Sequence, residues 1–265
     1  MPIAELGTVS LYYELSGVGG DNLIVLSNSI GSNLHMWDKV LPRFEGAHRV
    51  LRYDMRGHGR SGIPPGPYTM DQLGSDLLYL LDHLGIERAH ICGLSIGGMI
   101  AIWIGIHAPR RVGRLILANT AARIGSVELW NQRIAMARTE GMHALARMTL
   151  ARWFTRPYID SHPDEMEMIF AMISATRAEA YEASCCALRD TDLRKDIASI
   201  DAPALIISGT EDPATPPADG RAIQAAIPGS QYIELPASHL SAWERPDDFA
   251  AAALKFLNSE ENSRG

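Results

Sequence analysis

The sequence predicts an α/β fold: a mostly parallel central sheet with helices on both faces and an inserted helical cap. Three observations carry this. Short apolar runs alternate with helical patterns up to about residue 120 and resume after about residue 190. The stretch between carries no convincing strand, is rich in helix formers and holds six of the 11 Met residues. Finally, Gly93-Leu94-Ser95-Ile96-Gly97 joins an apolar run to a helical one, as a sharp strand-to-helix turn would. Strands separated by helices need crossover connections, which make a parallel sheet covered on both faces. The expected division is a core of residues 1–120 and 191–265 and a cap of residues 121–190.

The elements follow in order. Ser10–Glu14 reads as an early strand, and Leu23–Leu26 and Val50–Tyr53 as buried strands. Met36–Phe44 fits a helix between them. Thr69 and Gln72 have capping-box spacing, starting a helix through Leu77, Leu80, Leu81 and Leu84 that Gly85 can stop. Ala89–Cys92 is the next strand, followed by a helix over 98–104 and a strand at Leu115–Ala118. After the cap, Ala204–Ser208 and Gln231–Leu235 resume the strand pattern, each with a helical segment behind it. The polar tail Asn258–Gly265 is expected to fray.

Composition narrows the function. The 265 residues suffice for one well-buried core, and no apolar run is long enough to span a bilayer. The first residues lack the basic and apolar segments of a signal peptide, so the expected compartment is the cytoplasm. A net charge of −7 argues against a general nucleic-acid binder. Three Cys residues form no disulfide framework: Cys92 reads as a small buried hydrophobe, and Cys185 and Cys186 lack metal-ligand spacing. Reduced thiols and no metal are expected.

A Ser hydroxyl is a weak nucleophile until a base takes its proton. Of the nine His residues, His58 and His239 lie in loops just past strands. His239 is the expected base, because in this arrangement the nucleophile, acid and His follow in that chain order, and His58 precedes Ser95. The acid that fixes the imidazole is expected at Asp212, in Gly209-Thr210-Glu211-Asp212-Pro213, with Glu211 as the neighbouring alternative. The turn after the preceding strand, Ala118-Asn119-Thr120, offers no carboxylate. A developing oxyanion needs fixed N–H donors. Ile96, directly after Ser95, is one. The second is expected from Ser27-Asn28-Ser29-Ile30-Gly31, at Ile30, with Ser29 as the alternative.

Together these residues resemble the α/β-hydrolase superfamily over almost the full length. Within it, Leu26–Gly31, Leu34–Asp38, Tyr53–Gly59, Gly93–Gly98, Cys185–Asp190, Ser208–Pro217 and Ala237–Ser241 are similar to the 3-oxoadipate enol-lactonases. The Asn-Ser loop, the double Cys and Asp212-Pro213-Ala214-Thr215-Pro216-Pro217 are the more specific parts. The resemblance implies opening of the enol-lactone of the β-ketoadipate pathway without a cofactor, with Ser95, Asp212 and His239 as the triad.

That substrate is a small anionic lactone, and the chain's net charge repels it, so recognition has to be local. Residues 121–160 hold six Arg against three acidic residues, the only long basic region. Arg133 and Arg189 are the candidates for pairing a carboxylate. Trp130 and Trp153 are candidates for closing the pocket over a small ring, with ordinary packing as the competing reading. Another Ser carboxylesterase or lactonase, or a cofactor-free perhydrolase, is the alternative on this scaffold. A small-molecule receptor is a more distant one.

Overall fold

The structure, a computed structural model, describes residues 2–18 and 22–259. Eight strands form one sheet: β1 (Ile3–Glu5), β2 (Ser10–Gly17), β3 (Leu23–Ser27), β4 (Arg49–Tyr53), β5 (Ala89–Leu94), β6 (Val112–Ala118), β7 (Ala204–Gly209) and β8 (Gln231–Leu235). Their spatial order is β1-β2-β4-β3-β5-β6-β7-β8. β2 pairs antiparallel with β1 and β4, and every other pairing is parallel. β3, β6 and β7 are buried along their whole length. Their uninterrupted apolar runs are what a parallel sheet covered on both faces requires.

Three helices precede the strand-free stretch: α1 (Leu41–Glu45), α2 (Met70–His83) and α3 (Ile96–His107). Between β6 and β7 come α4 (Val127–Thr139), α5 (Gly141–Trp153), α6 (Arg156–Ser161), α7 (Pro163–Ser174) and α8 (Ala178–Asp190). α9 (Pro217–Ala226), α10 (Ser241–Glu244) and α11 (Pro246–Leu257) follow the last two strands. Among the described residues, no helix is long and apolar enough to cross a membrane.

Local sequence explains most boundaries. Thr69 accepts from Gln72 N–H while the Gln72 side chain accepts from Thr69 N–H, so α2 starts on a complete capping box. Gly85, at φ +66°, follows its last turn. The helix expected over Met36–Phe44 is instead two pieces. A 3-10 turn spans Leu34–Trp37, capped by the Asn33 side chain, and α1 begins separately with Pro42 in its first turn. Pro lacks the N–H that a continuous helix would need there. The sequence reading missed β1, and it placed the start of β6 three residues late. Of the tail expected to fray, residues 260–265 lie outside the described residues.

Candidate active site

The loops that leave the parallel strands at their carboxyl ends converge on one rim, where ligands bind in open α/β sheets. β3 leads to Ser27–Gly31, β5 to Ser95, β6 to Asn119, β7 to Asp212 and β8 to His239.

Ser95 sits on the turn into α3 with φ +60° and ψ −120°, a conformation costly for any residue with a Cβ. Neighbouring backbone holds it there. Ser95 N–H donates to Ala118 O (3.1 Å), and Thr120 Oγ1 donates to Ser95 O (2.7 Å). The flanking glycines are required by close approach. A Cβ on Gly93 would lie 2.1 Å from Gly97 O, and one on Gly97 would lie 2.2 Å from Ser27 O. Such contacts are too short for any side chain.

His239 is 3% exposed, and its Nδ1 lies 2.8 Å from Asp212 Oδ2. Asp212 is itself 3% exposed and meets four further donors. Asn119 Nδ2 (3.0 Å) and Thr215 Oγ1 (2.7 Å) donate to Oδ2, while Ala214 N–H (2.8 Å) and Thr215 N–H (3.1 Å) donate to Oδ1. Burial pushes this carboxyl upward. The charge of His239 opposes that, and with the hydrogen bonds from His239, Thr215 and Asn119 brings it down to about 2. Asp212 is therefore an anion throughout the neutral range. Glu211, the alternative, is exposed and makes no side-chain hydrogen bond among the described residues. The structure joins His239 to Asp212 but draws no hydrogen bond from Ser95 Oγ to His239. Such bonds often tighten only when substrate arrives.

The two proposed oxyanion amides are buried, with Ile30 at 6% exposure and Ile96 at 0%. Ile96 N–H opens α3, where the unpaired amides and the helix dipole favour negative charge. In the β3 loop, Ser29 N–H is taken by Met36 Sδ (3.1 Å) and Gly31 N–H by His58 Nε2 (2.9 Å). Ile30 N–H between them makes no hydrogen bond among the described residues, which favours Ile30 over Ser29.

This also gives His58 a task the sequence did not reveal. Its Nδ1–H donates to Arg56 O (3.1 Å), which leaves Nε2 free to accept. Burial lowers its pKa to about 4, so the ring stays neutral and keeps its grip on Gly31. Arg56 is fixed in turn by two 2.6 Å hydrogen bonds to the buried carboxylate of Asp76. Asn119, at φ +43°, offers no carboxylate itself, yet it donates to the one that is there. It spans Asp212, Ser238 O and Ser241 Oγ. Its place directly after a strand at the carboxyl rim was the available signal.

Of the four substrate candidates, three are buried. Trp153 lies with its ring centroid 6.3 Å from that of His239. Trp130 donates to Ile124 O (2.7 Å), and the Arg133 guanidinium lies 5.6 Å from the Trp130 ring. Arg133 Nη1 donates to Tyr181 Oη (2.8 Å), and the Tyr181 ring would lie 3.3 Å from a Cβ on Gly31. Arg133 thus stands one Tyr away from the oxyanion loop. Arg189 does not belong with them. It forms a two-pronged pair with Asp190 at the surface (2.7 and 2.8 Å) and reaches Asn131 (3.2 Å). The adjacent carboxylate has claimed the fork that the substrate would have needed.

Among the described residues, no group of three His, Cys, Asp or Glu side chains is placed to hold a metal ion. The site is thus a strained Ser, a His on a buried carboxylate, and free amides at a helix start. Residues 22–246 match the family described as alpha/beta hydrolase fold, and the chain belongs to that family and is a hydrolase.

It falls within the enol-lactonase branch. It is 40% identical to 3-oxoadipate enol-lactonase 2 of Acinetobacter baylyi over 94% of this chain and 95% of that protein. It also matches the crystal structure of the enol-lactonase from Burkholderia xenovorans LB400 with a TM-score of 0.96 and 46% identity, covering 97% of this chain and all of the other. A thermophilic esterase from Thermogutta terrifontis, solved with malate bound, matches with a TM-score of 0.88 at 28% identity, over 94% of this chain and 93% of its own.

Proposed function

We propose that the protein hydrolyses 3-oxoadipate enol-lactone to 3-oxoadipate, in the cytoplasm and in aromatic-compound degradation, through an acyl-enzyme on Ser95. The observation that carries the proposal is the His239–Asp212 pair at the rim where the strained Ser95 turn emerges. His239 Nε2 accepts the Ser95 proton as Oγ attacks the lactone carbonyl. The amides of Ile30 and Ile96 hold the oxyanion. The ring C–O bond breaks, and the oxygen leaves as an enolate, a better leaving group than an alkoxide; it takes the proton from the His239 imidazolium, which makes His239 a neutral base again, and the enol tautomerises to the ketone. Water, deprotonated by His239, then attacks the acyl carbonyl, and His239 passes that proton to Ser95 Oγ as the acid is released. Asp212 stays ionised and holds the imidazole in the required tautomer.

Residues 121–190 act as a cap over the core of residues 1–120 and 191–265. From the cap, Arg133 pairs the carboxylate of the lactone, with Trp130 and Trp153 closing over the ring. Support for Arg133 comes from its burial, its Tyr181 anchor beside the oxyanion loop, and an Nε that makes no hydrogen bond among the described residues.

The test is turnover of freshly generated 3-oxoadipate enol-lactone beside p-nitrophenyl acetate. Higher kcat/KM on the lactone is expected, and strong preference for the aryl ester would make this a general carboxylesterase. Arg133→Ala should raise KM for the lactone roughly tenfold or more, as the loss of a charged hydrogen bond implies, and leave the neutral ester unchanged. Arg189→Ala should change neither by more than about twofold, the ordinary size of a surface-pair effect.

A further inference from the structure

We propose that Glu244 is a positioning residue: it ties the helical insertion to the loop that carries His239, so that seating the insertion and placing the base are one event. The inference rests on the reading of His239 as the base.

Glu244 closes α10 and is 6% exposed. Its Oε2 accepts from Ser238 N–H (3.0 Å) and Thr155 N–H (3.3 Å), and its Oε1 accepts from Thr155 Oγ1. Ser238 immediately precedes His239, whereas Thr155 joins α5 to α6. Two more hydrogen bonds cross the same seam. Ser238 Oγ donates to Arg152 O (2.8 Å), and Leu240 N–H donates to Trp153 O (2.9 Å). The residues on both sides of His239 are therefore bonded to 152–155, and the Trp153 ring lies against the imidazole.

The rest of α10 reaches in both directions. Ser241 Oγ bonds Asn119, which holds Asp212, and Trp243 Nε1 donates to Glu165 of the insertion (2.7 Å). Glu165 also receives Lys39 Nζ from the core, at 2.5 and 2.6 Å.

The chemistry explains why a carboxylate stands here. Three donors from two segments converge on one side chain, and an anion accepts all of them. No ion pair involving Glu244 is found among the described residues. A buried carboxylate held only by N–H and O–H donors is costly unless the donors stay in place. Lifting residue 155 away removes two of them and leaves the charge on Ser238 alone. The cap thus cannot leave its seat without disturbing the His239 loop.

The experiment compares Glu244→Ala, Glu244→Gln and Thr155→Val with the parent on the enol-lactone and on p-nitrophenyl acetate. With Gln, the amide oxygen accepts the two N–H groups and the amide NH2 donates to Thr155 Oγ1, so the tie survives without the charge. Glu244→Ala should lower kcat by about tenfold to a hundredfold with KM within threefold, the scale of a displaced catalytic group. Glu244→Gln should restore kcat to within about threefold of the parent, and Thr155→Val should fall between, since it removes one donor.

A folded Glu244→Ala with parental kcat would overturn the inference, as would a Gln variant as impaired as Ala. If Glu244→Ala does not fold, Thr155→Val decides: parental kcat there also overturns it. Ser95→Ala runs as the control. Retained activity in that variant refutes the Ser mechanism, whereas normal turnover by Glu244→Ala beside a dead Ser95→Ala refutes only the tie.

Discussion

The loops after β7 and β3 both prepare for charge, and they do so in opposite ways. The β7 loop holds a standing negative charge. Asp212 gathers three donors from two residues just after it, Ala214 N–H, Thr215 N–H and Thr215 Oγ1, and adds Asn119 and His239 from elsewhere. On the proposed mechanism the β3 loop awaits a transient charge and must keep an amide empty. Its amides are held by side chains outside it, Met36 on Ser29 and His58 on Gly31, while its carbonyls take donors, Ser32 N–H and Oγ on Ser29 O and Thr176 Oγ1 on Gly31 O (3.3 Å). A carboxylate stabilises itself by collecting partners close at hand. An oxyanion site has to be stiffened without using the donor it offers, so its supports fall on the groups either side of that donor.

The comparison can be broken by substitution. The largest effects belong to the charge-bearing side. Asp212→Asn preserves shape but disturbs the imidazole tautomer, and Ser95→Ala removes the attacking oxygen. With the fold intact, Asp212→Asn should lower kcat roughly ten-thousandfold and Ser95→Ala about a millionfold. Melting curves together with single-turnover kinetics on the lactone check this. If Ser95→Ala retained a tenth of parental turnover, Ser95 would not be the nucleophile.

Next comes the distant support of the other loop. His58→Ala frees Gly31 N–H and lets Ile30 drift. A drop of about tenfold to a hundredfold in kcat is expected, below the full cost of removing an oxyanion donor. KM should move little, and an unchanged kcat would show that the loop holds its shape without the ring.

His58 also predicts a pH dependence of stability. Its folded pKa is lowered by burial to about 4, whereas the unfolded chain takes up the proton near 6.5. Between those values the unfolded state binds more protons, so stability falls as pH drops from about 6.5 towards 4. This one ring contributes up to about 3 kcal/mol of that loss, which denaturant midpoints across the window measure. His58→Gln should flatten the slope. The smallest effect is expected from Met36→Leu, which removes a weak sulfur acceptor from Ser29 N–H and Ser32 Oγ: a change of about twofold in kcat.

The same division decided what sequence reasoning reached. Asp212 stands out because its loop is self-contained, with Thr215 and Pro213 flanking it at the end of an apolar strand. Ser95 stands out because close packing writes two glycines beside it. The capping box at Thr69 is equally local. Sequence reading failed where partners lie far apart along the chain. Asn119 looks like a turn residue until Asp212 arrives from 93 positions away. His58 looks like a rejected base until its ring meets Gly31 across the loop. Arg189 is the exception: the residue that takes its fork, Asp190, stands next to it in the chain, and only the side-chain geometry shows the pairing.

By itself, then, the sequence determined the order of the strands after β1, the strained Ser turn, and the placing of Asp212 and His239 in loops at strand ends, since backbone sterics and short-range patterning dictate each of them. Only the tertiary structure decided which amide stays free, which Arg is buried, and how Glu244 joins 155 to 238. Those outcomes depend on groups brought together by packing, and contacts between residues remote in the chain leave no periodic or neighbouring trace.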